Sequence, residues 1–252
     1  MSNGCQLWFE DRGKGEPLLL IHGFMGIAAN WQYVLPVDPE GFRVIAPDMR
    51  GHGLSTNPSR TFTFRQSALD LFALLDHLRV DRFKAIGLSG GGITLLHMAT
   101  LQPSRLRAMV LVSAPPYFPP EAKAIQRRYS EAMIPENQRA AIRAFHPRGE
   151  AQIQALIEQT QQMAVNDEDV MFTPALLNTI TADTLVVFGD RELFGRAPMY
   201  PVSLAFELHA GIPRSFLWVV PNGGHGPIFG AQAEAFASTA LAFLRGEWTT
   251  LG

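Results

Sequence analysis

The chain has 252 residues, with 21 lysines and arginines against 23 aspartates and glutamates and a net charge of −2. That length suits one α/β domain with an insertion, or two small domains, and the charge gives no pull toward nucleic acid or an anionic membrane. A single cysteine, Cys5, excludes an intrachain disulfide, and apolar runs such as Leu18 to Ile21 are too short to cross a bilayer. The opening Met1-Ser2-Asn3-Gly4 has neither the basic region nor the apolar core of a signal peptide, so a cytoplasmic protein is expected.

Leu7-Trp8-Phe9-Glu10 followed by Asp11-Arg12-Gly13 predicts an edge strand and turn. Leu18 to Ile21 predicts a buried strand ended by His22-Gly23-Phe24, and Arg43 to Ala46 another, followed by the loop Pro47 to Ser55. Thr63 and Gln66 have capping-box spacing. From there Phe64, Ala68, Leu71, Leu75 and Leu78 recur at helical intervals, predicting a helix to about Arg79. Lys84 to Leu96 predicts a strand, a very tight turn at Ser89 and a helix, and Arg107 to Ser113 predicts the next strand. Prolines between Ala114 and Pro120 then break the alternation. Ala122, Ile125, Tyr129 and Met133 suggest one amphipathic helix, and Ile153, Leu156, Ile157 and Thr160 another. Residues 117–182 are therefore expected to form a helical cap between the core segments 1–116 and 183–252. Core elements resume with the strand Thr184 to Phe188, the turn Gly189-Asp190-Arg191-Glu192 and a helix near Val202 to Ala210. The strand Ser215 to Val220, the loop Pro221 to Pro227 and a helix near Ala233 to Leu244 complete the chain. Strands alternating with helices predict a doubly wound, mostly parallel sheet with its strand C-termini gathered on one edge.

Chemistry concentrates at that edge. Gly87-Leu88-Ser89-Gly90-Gly91 fits the G-x-S-x-G elbow, which exposes a serine hydroxyl at the start of a helix. The glycines lack the Gly-Lys-Ser/Thr ending of a phosphate loop and the spacing of a dinucleotide site. A serine hydroxyl needs a base, and the base needs an orienting partner. His225, in a glycine-rich loop after the last strand, is the candidate base. The acid is expected on the turn after the preceding strand, where Asp190 and Glu192 both qualify. No His-x-x-x-His or Cys/His cluster is present, so neither a metal nor a cofactor is expected.

Taken together, His22-Gly23-Phe24, Asp48 to Ser55, the elbow, Gly189 to Glu192 and Gly223 to Pro227 make the chain resemble the α/β-hydrolase superfamily over nearly its whole length. The resemblance implies Ser89 as nucleophile, His225 as base and the backbone amides of Phe24 and Gly90 as oxyanion hole. It implies Glu192 as acid, one methylene longer than the aspartate usual at that position, with Asp190 shaping the turn and standing as the alternative. His22 is expected to shape its loop. The implied activity is that of a carboxylesterase-like serine hydrolase using water on a small-to-medium, largely apolar ester. Lactonases, C–C bond hydrolases and cofactor-free perhydrolases share the triad, and a ligand sensor with a nearly silent triad is the reading from another class. Dehalogenases and epoxide hydrolases of the superfamily use an aspartate nucleophile, against which Ser89 argues. Phe24, Tyr129, Met133, Phe172 and Ile228, with Phe194 and Phe229, are expected to line the pocket for a small-molecule ester or lactone.

Overall fold

Short apolar runs without polar alternation form strands buried on both faces. The computed structural model describes residues 4–194 and 197–248. Its elements run β1 (Phe9–Gly13), β2 (Glu16–Ile21), β3 (Phe42–Pro47), α1 (Phe64–His77), β4 (Phe83–Leu88), α2 (Gly90–Leu101) and β5 (Leu106–Val112). Then follow α3 (Pro120–Arg127), α4 (Glu136–Phe145), α5 (Glu150–Met163) and α6 (Pro174–Leu177). The chain closes with β6 (Asp183–Gly189), β7 (Leu193–Phe194), β8 (Ala197–Pro198), α7 (Ser203–Gly211), β9 (Ser215–Val220) and α8 (Ala233–Leu244). Among the described residues no helix is long and apolar enough to cross a membrane.

Seven strands form one sheet in the order β1-β3-β2-β4-β5-β6-β9. Only β1 runs antiparallel to its neighbour. Successive residues on a strand face opposite cores. Leu19, Ile21, Met109, Leu111 and Phe188 pack with α1, α2 and α7, whereas Leu18, Leu20, Val110, Val112 and Val187 pack with α8 and the turn at Ala28–Tyr33. The first strand begins at Phe9, two residues later than its sequence suggests.

The segment between β5 and β6 contains helices at both expected places, α3 and α5, and two that the sequence does not predict, α4 and α6; α3 also differs in extent. The helix at Ala122 ends at Arg127 and does not extend to Met133, which lies on a separate turn, Glu131–Met133. Pro135 requires an extended residue before it, and Ile134 adopts ψ 124°. The helix α4 after it has no fully buried residue.

Polar side chains fasten this segment to core loops. His146 Nδ1 accepts from Gly53 N (3.0 Å) and its Nε2 donates to Met25 O (3.2 Å). Gln152 Nε2 donates to Gly51 O and Gly53 O, both at 2.9 Å, and Arg148 donates to Leu54 O and Ser55 O. The Asp169 carboxylate accepts from Phe64 N (2.7 Å) and Arg65 N (3.1 Å), so it supplies an acceptor to amides at the positive end of α1. At the neck, Phe172 N donates to Pro116 O (2.8 Å) and Tyr117 bridges to Met171.

Candidate active site

The strand order reverses between β2 and β4, and a crevice opens at the C-terminal ends of strands at such a switch. His22-Gly23-Phe24 leaves β2 there, and Ser89 leaves β4. Ser89 has φ 51° and ψ −116°, a strained backbone conformation for a residue with a Cβ. The strand-to-helix reversal is so tight that a Cβ on Gly87 would lie 2.6 Å from Gly91 O, and one on Gly91 would lie 2.2 Å from Ile21 O. Only glycine fits at either position. Ser89 precedes the first turn of α2, where amides lack intrahelical partners. The backbone of Phe24 comes close: a Cβ on Gly90 would stand 3.3 Å from Phe24 N. Gly26 N donates to Gly23 O (2.9 Å) and closes the turn that carries Phe24.

Three adjacent strands deliver the other groups. Ser113 follows β5, Glu192 follows β6 and His225 follows β9. His225 Nδ1 donates to Glu192 Oε2 (2.8 Å), which leaves Nε2 to accept from Ser89 Oγ (2.9 Å). The other carboxylate oxygen, Oε1, accepts from Ser113 Oγ (2.5 Å) and Gly189 N (3.0 Å). The Glu192 side chain is 0% exposed. Asp190 is exposed at the surface, so of the two candidate acids only Glu192 reaches the imidazole. The acid and base loops are in backbone contact, since a Cβ on Gly189 would meet Gly223 O at 2.3 Å. The Tyr200 ring stands edge-on to His225 (5.4 Å between centroids). Burial first, then the Glu192 charge, push its phenol upward and keep it protonated.

A cavity of about 130 Å³ opens beside Ser89, walled by Ile93, Phe118, Ile125, Met163 and Met199. A second, outer groove of about 400 Å³ shares Phe24, Met25, Tyr129 and His225 with it and continues along Ile142 and Phe229. Phe24 and Tyr129 therefore lie where the sequence places them. Three other expected lining residues do not. Met133 falls on the turn beyond α3, outside both spaces. Phe172 packs on the His97 ring (4.8 Å) and borders a different groove with Pro174 and Leu177. Ile228 is buried in the core on the α8 face of the sheet. The Phe194 side chain lies outside the described residues.

The profile of the alpha/beta hydrolase fold family matches residues 16–174. The chain belongs to that family. It is 38% identical over 99 residues to the soluble epoxide hydrolase of Corynebacterium sp. (strain C12), a match covering 39% of this chain and 35% of that protein. The first curated relatives are matched over only 22–36% of their own length. A likeness of 24% over 263 residues covers 96% of this chain and 89% of the 2-hydroxy-6-oxo-6-(2'-aminophenyl)hexa-2,4-dienoic acid hydrolase of Metapseudomonas resinovorans. The solved structure of a thermophilic esterase from Thermogutta terrifontis superposes with a TM-score of 0.74 at 28% identity, covering 99% of this chain and 97% of that one.

Around this edge of the sheet in the α/β-hydrolase fold, three buried histidines stay neutral. His22 donates from Nδ1 to Gly23 O (2.8 Å) and accepts at Nε2 from Met49 N (2.9 Å). Burial pushes it down to about 4. His52 lies between His22 and His146, at ring separations of 5.1 and 6.0 Å, and burial holds it well below the usual histidine range. His146 is lowered by burial too. Asp48 joins the loops they support by accepting from Ala28 N (2.8 Å) and Leu54 N (2.9 Å). Sequence reasoning missed Ser113, Tyr200 and the lining residue Gln126. Ser113 could be found only with the strand order β5-β6-β9 in hand.

Proposed function

We propose that the protein is a serine hydrolase cleaving esters of small, largely apolar substrates through an acyl-enzyme on Ser89. The observation that carries this reading is the continuous hydrogen-bonded line Ser89–His225–Glu192 at an apolar cavity. Ser89 Oγ attacks the ester carbonyl as its proton passes to His225 Nε2, and Glu192 balances the imidazolium. The amides of Phe24 and Gly90 receive the oxyanion, an interaction worth about 3 kcal/mol per donor in such sites. His225 then protonates the leaving alcohol. A water that gives its proton to the same nitrogen releases the acid and restores Ser89.

The inner cavity, at about 130 Å³, holds about four water-sized groups, which suits a short acyl chain. The full-length likeness to an esterase supports ester cleavage. The relative named for a hexadienoic acid hydrolase favours a second reading, C–C bond hydrolysis by the same triad. The elbow carries a hydroxyl and not a carboxylate, which argues against the chemistry named for the epoxide hydrolase relative. The test is turnover of p-nitrophenyl butanoate and labelling by a serine-directed phosphonate. Labelling at Ser89 is expected, with a loss of at least about 10³-fold in Ser89→Ala; full turnover by that variant would remove Ser89 as nucleophile. Faster cleavage of a vinylogous 1,5-diketone than of any ester would favour the C–C reading.

A further inference from the structure

Among the described residues, four polar side chains outside the triad line the inner cavity, Gln126, Tyr129, Thr160 and Tyr200, and of these Gln126 carries a buried atom without a hydrogen-bond partner. Gln126, on the buried face of α3, lines the cavity together with Ser89, is only 4% exposed, and its Oε1 has no hydrogen-bond partner. Buried amide oxygens are normally paired. Gln152 satisfies both ends of its amide, its Oε1 accepting from Arg148 N and its Nε2 donating to Gly51 O and Gly53 O. Gln159 donates from Nε2 to Arg60 O while its Oε1 is also unpartnered, but Gln159 does not line the inner cavity. The nearby Thr160 hydroxyl, which also lines the cavity, is already turned onto Leu156 O (3.0 Å). Much of the wall facing Gln126 is apolar: Ile93, Phe118, Ile125, Met163 and Met199. A bare hydrocarbon acyl chain filling this space would leave the amide unpaired in the complex.

We propose that Gln126 is the specificity-determining residue of the inner cavity and that the acyl group it selects carries a hydroxyl. This rests on the serine-hydrolase reading above. A hydroxyl both donates and accepts, so it pairs with the amide whether oxygen or nitrogen faces the cavity. With room for about four water-sized groups, the acyl chain is short and the hydroxyl stands near the scissile carbonyl. The expected substrates are esters of small hydroxy acids, with the larger outer groove taking the leaving alcohol.

The test uses ester pairs of matched shape in which hydroxyl replaces methyl. These are p-nitrophenyl 3-hydroxybutanoate against 3-methylbutanoate, and p-nitrophenyl lactate against 2-methylpropanoate. Each kcat/KM ratio is corrected for the intrinsic reactivity of the two esters, from their hydroxide-catalysed rates. In the wild-type enzyme the corrected ratio favours the hydroxyl member of at least one pair by about tenfold, the scale of one hydrogen bond. Gln126→Leu and Gln126→Met should each lower that ratio to within about threefold of unity. Because each ratio is internal to one preparation, partial misfolding cancels; phosphonate titration gives the number of active sites. A wild-type ratio within threefold of unity in both pairs, or one that survives both substitutions, overturns the proposal. Failure of the parent reading looks different: no ester is turned over and Ser89 is not labelled.

Discussion

At the carboxyl edge of the sheet, three neighbouring strands set Ser113, Glu192 and His225 side by side, and backbone contact between Gly189 and Gly223 fixes their spacing. Above that edge, the segment between β5 and β6 packs Phe118, Ala122, Met163 and Val170 into the same apolar cluster as α1 and α2, and is pinned to core loops by His146, Arg148, Gln152 and Asp169, each gripping main-chain groups. In the first region geometry is a property of the sheet. In the second it is distributed over replaceable contacts. Substitutions at the edge should therefore act on kcat, and those in the segment on stability and substrate choice.

The largest expected effect separates two acids that are two residues apart. Glu192→Gln should lower kcat by about 10³ to 10⁴-fold, as loss of an orienting carboxylate does in such triads. Asp190→Asn, at an exposed position, should stay within about threefold of wild type, as surface substitutions usually do. Steady-state kinetics decide the matter, and the reverse ranking would move the acid to Asp190.

Next in size is the pH dependence of the seam between the two regions, where His22, His52 and His146 are buried neutral. Their folded values lie below the unfolded value of 6.5, so between the two the unfolded chain binds more protons and stability falls as pH drops. For His22, with a folded value of about 4, the loss runs from about pH 6.5 down to pH 4 and amounts to at most about 3 kcal/mol. Urea denaturation at pH 7.5 and 5.0 measures it. A melt that is flat across that interval would show that these rings charge freely in the folded state.

A smaller effect is expected at Ser113. Its alanine variant removes one of the two bonds to Glu192 Oε1, leaving that from Gly189 N, and should cost about tenfold in kcat, the scale of one hydrogen bond, with little change in KM. The smallest is Gln152→Ala, which removes two bonds to the Gly51–Gly53 loop and should cost about 1 to 2 kcal/mol in chemical denaturation. It should change kcat less than fivefold. A hundredfold loss of kcat with unchanged stability would break the contrast between the two regions.

The parallel sheet and the order of its elements could be read from runs such as Leu18 to Ile21, because strand burial leaves a local mark. The elbow could be read for the same reason: the glycines its tight turn needs lie within two residues of Ser89. Ser113 could not, since its meaning comes from which strand lies beside which. Met133, Phe172 and Ile228 show a different limit. Periodicity says that a residue is apolar and inward, but not which of several buried spaces it enters. Ile228 went to the α8 side of the sheet and Phe172 to the ring of His97. Gln126 was hidden by its position in the apolar stripe of α3, between Ile125 and Tyr129. The helix α4 is amphipathic in sequence, yet its apolar face is only partly covered, so the pattern does not mark a buried element.

The closed neck at Pro116 and Phe172 has a kinetic consequence. With the segment zipped at its stem and Asp169 seated on α1, the open groove that leads to His225 among the described residues runs past Tyr33 and Phe229. In the proposed reaction the departing alcohol and the incoming water would then share one doorway. Water would reach the acyl-enzyme only after the alcohol has cleared it, so bulky leaving groups would slow deacylation by lingering in the exit, whatever their chemistry at the carbonyl.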